Sequence, residues 1–157
     1  MAKSPSVKAV IASAICLALH LAGAGLLCGD SAASPGRAPA LKAFIEKYIQ
    51  LSNQRNLQGL ASLYAPQPVV IQEGEPLEGD FMDNLVENLE TWDRYEVEWS
   101  ILEIGRIDVQ PDKAVLEFRI EGRGKAWFIP VTRSFEKRLV VRPAEEGGWK
   151  IEKDITH

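Results

Sequence analysis

Past residue 28 the chain contains no cysteine, and past residue 20 its only histidine is His157. Everything beyond the first segment therefore lacks a disulfide, a thiol nucleophile and a thiolate metal site. The same inventory excludes a Ser-His-Asp triad, a Cys-His pair and a multi-histidine zinc site there. Positive charge is also scarce: 18 Lys and Arg against 22 Asp and Glu leave a net charge of −4. The bases are scattered among acids, which excludes the clustered cations that phosphate neutralisation on nucleic acid requires. No internal repeat is present, and no pattern calls for a metal or a cofactor. At 157 residues, 46% apolar and 25% charged, the chain has the length and composition of one globular domain.

The first segment reads as separate from that domain. Lys3 and Lys8 precede an apolar stretch from Ala9 to Cys28, which only Ser13, His20 and glycines interrupt. Small-residue sites follow at Ala22-Gly23-Ala24 and at Ser31-Ala32-Ala33. A positive start, an apolar middle and a small-residue exit form the secretory pattern. Cleavage by a signal peptidase is the favoured reading of residues 1–33. A retained membrane anchor is the alternative, because about 20 apolar residues span a bilayer. Lipidation of Cys28 is disfavoured by the bulky Leu27 before it. With the lysines ahead of the apolar stretch, each reading places the domain outside the cytoplasm, periplasmic or extracellular. Residues 34–40 continue an Ala, Ser, Pro and Gly tract and read as a flexible linker, so the domain is expected over 41–157.

Leu41, Phe44, Ile45, Tyr48 and Ser52 lie on one stripe at helical spacing. Leu57, Leu60, Ala61 and Tyr64 form the face of a second helix that Pro66 and Pro68 stop. Val69, Val70 and Ile71 predict a brief strand, and Glu73-Gly74-Glu75-Pro76 a loop. Phe81, Leu85, Leu89 and Trp92 mark a third helix, with Asp80 and Asp83 as capping acids at its start.

After Asp93 the period changes to two. Tyr95, Val97, Trp99 and Ile101 alternate with polar residues, and so do Ala114, Leu116, Phe118 and Ile120. Trp127, Ile129, Val131, Phe135, Leu139 and Val141 keep one parity, as do Trp149, Ile151 and Ile155. Such alternation predicts an antiparallel sheet with one buried face. Pro111-Asp112, Gly122 to Gly124 and Gly147-Gly148 are expected as hairpin connections. The apolar phase slips after Ile101, as a bulge would make it. The fold class is α+β: three helices, then an antiparallel meander, the helices covering the sheet's apolar face.

This order, from Leu41 to Ile155, resembles the nuclear-transport-factor-2-like superfamily, which includes ketosteroid isomerases and SnoaL-like polyketide cyclases. The likeness is carried by Leu60-Ala61-Ser62-Leu63-Tyr64-Ala65-Pro66, by the helix closing on Trp92, and by Gly148-Trp149-Lys150-Ile151-Glu152-Lys153-Asp154. None of these is a catalytic motif. The resemblance implies a cone-shaped fold with a pocket between a curved sheet and the helices, and often a dimer formed by the outer sheet face. Its enzymes use an Asp base, sometimes with His, and a Tyr or protonated carboxyl to stabilise an enolate. No carboxylate of this chain matches such a position, and by strand parity Asp154 is expected on the wet side.

The candidate pocket residues are Tyr64, Trp92, Trp99, Phe118, Trp127, Arg133, Phe135, Lys137 and Lys153. The aromatic members fall on apolar faces, where they line a pocket or fill a core. Arg133, Lys137 and Lys153 share an apolar parity, which demands water, a partner acid or an anionic ligand. On the opposite face Glu96, Glu98, Glu117, Arg119, Glu121 and Glu136 suggest a solvated surface or a polar homodimer interface. The sequence thus points to an exported, non-catalytic domain that binds a small ligand, an anion among the options, or a protein. A carboxylate-based isomerase or cyclase and a dimerising assembly module are the alternatives. Contact with a membrane is expected only through an uncleaved leader.

Overall fold

A computed structural model describes residues 36–157 of the chain. The leader and most of the linker lie outside the described residues. The elements are α1 (Arg37–Asn53), α2 (Leu57–Leu63), β1 (Tyr64–Gln72), β2 (Glu75–Pro76), α3 (Phe81–Arg94), β3 (Glu98–Val109), β4 (Ala114–Ala126), β5 (Ile129–Pro143) and β6 (Trp149–Thr156). Residues Arg37 to Ala40, expected in the linker, are the first turn of α1.

The stripe Leu41, Phe44, Ile45, Tyr48 and Ser52 is the buried face of α1. Asn56 caps α2 by accepting from the Gly59 amide, and Asp80 caps α3 by accepting from the amides of Met82 and Asp83. Three helices pack on a curved, unclosed six-stranded sheet in the order β2-β1-β6-β5-β4-β3. The meander β3 to β6 is antiparallel as its alternation predicts, but β1 runs parallel to β6, so the sheet is mixed.

Parity reasoning fails where registers slip. β3 has two irregularities against β4, after Ile101 and after Ile104. Its inward residues are therefore Ile101, Ile104 and Ile107, while Leu102 is exposed. β1 is longer than the three residues expected of it: it starts at Tyr64 and contains both prolines. Pro66 and Pro68 fall in the gap between the Tyr64 and Val69 pairings, where no ladder amide is missed. The glycines of β4 are not a turn. Gly122 and Gly124 pair with Arg133 and Val131, and the chain reverses farther on, at Trp127-Phe128. A Cβ on Gly122 would lie 2.7 Å from the Trp99 ring, so this glycine lets the indole lie flat across β4. Gly122→Ala is expected to lower stability by about 1–3 kcal/mol through overpacking, read as a lower urea midpoint at unchanged m-value.

The core joins Leu41, Ile45, Ile49 and Leu60 of the helices to Leu116, Phe118, Ile120, Leu139, Val141 and Ile151 of the sheet. Leu85 and Leu89 of α3 complete it.

Candidate functional site

Four polar side chains meet inside this core. Asp154 and Lys137 are 2% and 9% exposed, and the hydroxyls of Tyr48 and Tyr64 are buried with them. Lys137 Nζ donates to Asp154 Oδ1 at 2.5 Å. Tyr64 donates to Asp154 Oδ2 at 2.6 Å and Tyr48 to the same oxygen at 3.4 Å. The Lys137 ammonium also lies 5.2 Å from the centre of the Tyr48 ring.

A bulge on β6 builds this cluster. Ile151 pairs with Val141, but Lys153 pairs with the very next residue, Val140, so Glu152 is the extra residue. The slip turns Asp154 inward, three residues from buried Ile151, and directly opposite Leu139. Tyr48 arrives from α1, and Tyr64 from the junction where α2 runs into β1.

Burial raises the Tyr48 hydroxyl above its usual 10.0, with the Asp154 carboxylate adding to the effect. The same two causes raise Tyr64 well above 10.0. For Lys137 burial pulls downward, but Asp154 and then Tyr48 outweigh it, and the ammonium titrates above the usual 10.5. At neutral pH the cluster is thus one ion pair with two neutral hydroxyl donors, and its charges cancel.

A second cluster occupies another part of the concave side. Trp92 of α3 meets Trp99 of β3 edge-on, centroids 5.3 Å apart, and Trp99 lies 5.8 Å from Phe135 of β5. Asn53 fixes the Trp99 backbone, bonding both its N–H and its C=O at 2.8 Å. Arg55, at a φ of 53°, donates to the carbonyls of Ser52, Trp92 and Val97 and so ties α1 to α3 and to the residue just before β3. The rings are half-buried, but the Trp99 Nε1 donor is itself buried and has no hydrogen-bond partner among the described residues. Leaving such a donor unpaired costs about 1–3 kcal/mol.

The residues expected at a pocket separate into three groups. Tyr64 and Lys137 join the polar cluster, while Trp92, Trp99 and Phe135 form the aromatic one. Phe118 is simply core. Trp127, Arg133 and Lys153 are elsewhere. Trp127 is 90% exposed, because the hairpin turns at Trp127 instead of at the glycines, and Arg133 is exposed beside that tip. Lys153 is half-buried on the other parity from Asp154, displaced by the β6 bulge. The three cations therefore do not converge. The sequence reading missed Tyr48 and Asp154. A signal for them existed: a lysine on an apolar stripe needs an acid, and a tyrosine on a buried helix face needs an acceptor.

On the outer face, Arg138 lies 3.5 Å from Glu117 and Arg119 lies 3.4 Å from Glu103. Among the described residues no group of three or more His, Cys, Asp and Glu could hold a metal, and no helix is long and apolar enough to cross a membrane.

The family model described as the nuclear transport factor 2 domain matches residues 40–157, three quarters of the chain. The chain belongs to the nuclear transport factor 2 domain family. Solved structures repeat this family's fold. A ketosteroid isomerase-like protein from Erwinia carotovora atroseptica is 18% identical, with a TM-score of 0.63 over 77% of this chain and 95% of that one. A nuclear transport factor 2-like superfamily protein from Salmonella enterica serovar Typhimurium is 14% identical, with a TM-score of 0.64 over 78% and 92%. A conserved protein from Planctomyces limnophilus is 15% identical, with a TM-score of 0.64 over 78% and 98%. None of the curated proteins compared with the chain matches it in sequence. At these identities the likeness to the solved members of the nuclear transport factor 2 family is one of fold. Its element order and cone are those the sequence resemblance implied.

Proposed function

We propose that the chain is an exported, non-catalytic binding domain that takes a small uncharged ligand against Trp92, Trp99 and Phe135. The ligand would be apolar in bulk and carry one hydrogen-bond acceptor. The observation that carries this reading is the buried, unpartnered indole N–H of Trp99 inside an aromatic cluster. Mostly apolar walls with a few placed polar groups are the usual make-up of a small-molecule site.

The polar cluster supports the non-catalytic part. Asp154, the one acid buried among the described residues, is held by Lys137 and by two tyrosine hydroxyls. A general base must reach its substrate, and Asp154 is 2% exposed with its charge matched by Lys137. The cations bear on the ligand's charge. Lys137 is neutralised, and Arg133 and Lys153 face elsewhere. An uncharged ligand therefore suits the concave side better than the carboxylate that the sequence suggested. Export rests on Lys3, Lys8, the apolar stretch Ala9 to Cys28 and the small residues after it.

Thermal-shift screening of the full chain tests the binding role. Apolar ketones and amides are expected to raise the melting temperature, and their carboxylate counterparts are not. Trp99→Phe keeps a ring but removes the donor, and is expected to weaken the responding compounds about tenfold. A response confined to carboxylates and lost in Lys137→Gln would overturn the reading.

A further inference from the structure

The β4–β5 hairpin ends in a point of apolar side chains that nothing in the concave site uses. Trp127, Phe128 and Ile129 are 90%, 97% and 68% exposed, and Val131 behind them is 37% exposed. Trp127 itself is held at a φ of 64°, a conformation uncommon outside glycine, so a large indole occupies a position where a small residue fits better. From Gly122 to Arg133 the hairpin carries three cations, Arg123, Lys125 and Arg133, and no acid, in a chain of net charge −4. Arg123 and Lys125 lie 2.6 Å from Glu121 and Glu96, yet their side chains stay 71% and 60% exposed. Arg133 has no ion pair among the described residues.

We infer that this hairpin tip inserts into the surface of an anionic phospholipid bilayer, Trp127, Phe128 and Ile129 entering the acyl boundary and the three cations meeting the headgroups. Trp and Phe favour that boundary, where an apolar body and a wet edge are both satisfied. Cations a few residues behind an apolar tip add attraction to anionic lipid that salt screens. The shape favours lipid over a second copy of the chain. A narrow two-residue turn presents a point that can penetrate, whereas a protein–protein patch needs breadth. This inference is independent of the Trp99 site, which belongs to the concave side.

The apolar stretch Ala9 to Cys28 can itself hold the full chain on a bilayer, so the deciding readout is the position of Trp127. Full chain is mixed with vesicles of equal phosphatidylcholine and phosphatidylglycerol, the acyl chains brominated to quench tryptophan on contact. Quenching is expected to be greater in the wild-type chain than in Trp127→Phe. That difference is expected to vanish on pure phosphatidylcholine, and also when Arg123→Gln, Lys125→Gln and Arg133→Gln are combined. Equal quenching in wild type and Trp127→Phe would overturn the inference, since the tip would then remain in water. A difference that persists on pure phosphatidylcholine would overturn its anionic part. Self-association by light scattering that Phe128→Ser abolishes, with no lipid-dependent difference, would assign the tip to a second copy instead. Far-UV circular dichroism matching the wild type establishes that each variant keeps its fold.

Discussion

Asp154→Asn is expected to lower the stability of the domain by about 3–5 kcal/mol, the usual cost of removing one partner from a buried ion pair. The amide keeps an acceptor for Tyr64 but leaves Lys137, 9% exposed, without its counter-charge. The loss is therefore electrostatic and not a matter of volume. Lys137→Met combined with Asp154→Asn removes both charges and is expected to recover more than half of it. Urea denaturation of the two single variants and the double variant gives the coupling directly. Additive losses would show that the two side chains do not act as a pair.

Raising the pH past 10 is expected to collapse the native state steeply. Tyr48 and Tyr64 titrate above 10.0 in the folded chain and Lys137 titrates above 10.5. All three groups bind protons more tightly folded than unfolded. Stability linked to them is complete below their unfolded values and is lost as pH rises toward the folded ones. From neutral pH to about 9 the three contribute no slope, because folded and unfolded states are equally protonated there. In Asp154→Asn the lysine keeps its burial but loses the carboxylate, so its titration moves downward and its contribution reverses, favouring the fold as pH rises. Urea midpoints measured between pH 8 and 11 check both signs. A wild-type chain with no loss above pH 10 would show that the cluster exchanges protons as freely as an unfolded one.

Much of the fold was legible because its signals are local and repeated. The helical stripe from Leu41 to Ser52 and the alternation in β4 depend only on side-chain period, and both are buried as read. What misled was register. One extra residue, Glu152, exchanges the faces of Lys153 and Asp154, and no local propensity marks it. The glycines of β4 resembled a turn because glycine serves two ends, a tight turn and a close approach. Only the position of Trp99 across the sheet tells which applies. The parallel β1–β6 pairing joins distant segments, and alternation within one strand carries no information about its neighbour's direction. Of the candidate site, Trp92, Trp99, Phe135, Tyr64 and Lys137 were visible as polar or aromatic residues on apolar stripes. Tyr48 and Asp154 became visible only as their partners.

On the concave side, the buried indole N–H of Trp99 is the donor proposed to meet an uncharged ligand. Nitrogen-15 spectra of the four indole N–H groups in the full chain show whether that donor is engaged, each signal assigned by its own Trp→Phe variant. Titration with a compound that raises the melting temperature is predicted to move the Trp99 signal downfield and saturably. The Trp127 and Trp149 signals are predicted to stay in place. Saturable binding that leaves the Trp99 signal unmoved would show that the ligand sits elsewhere.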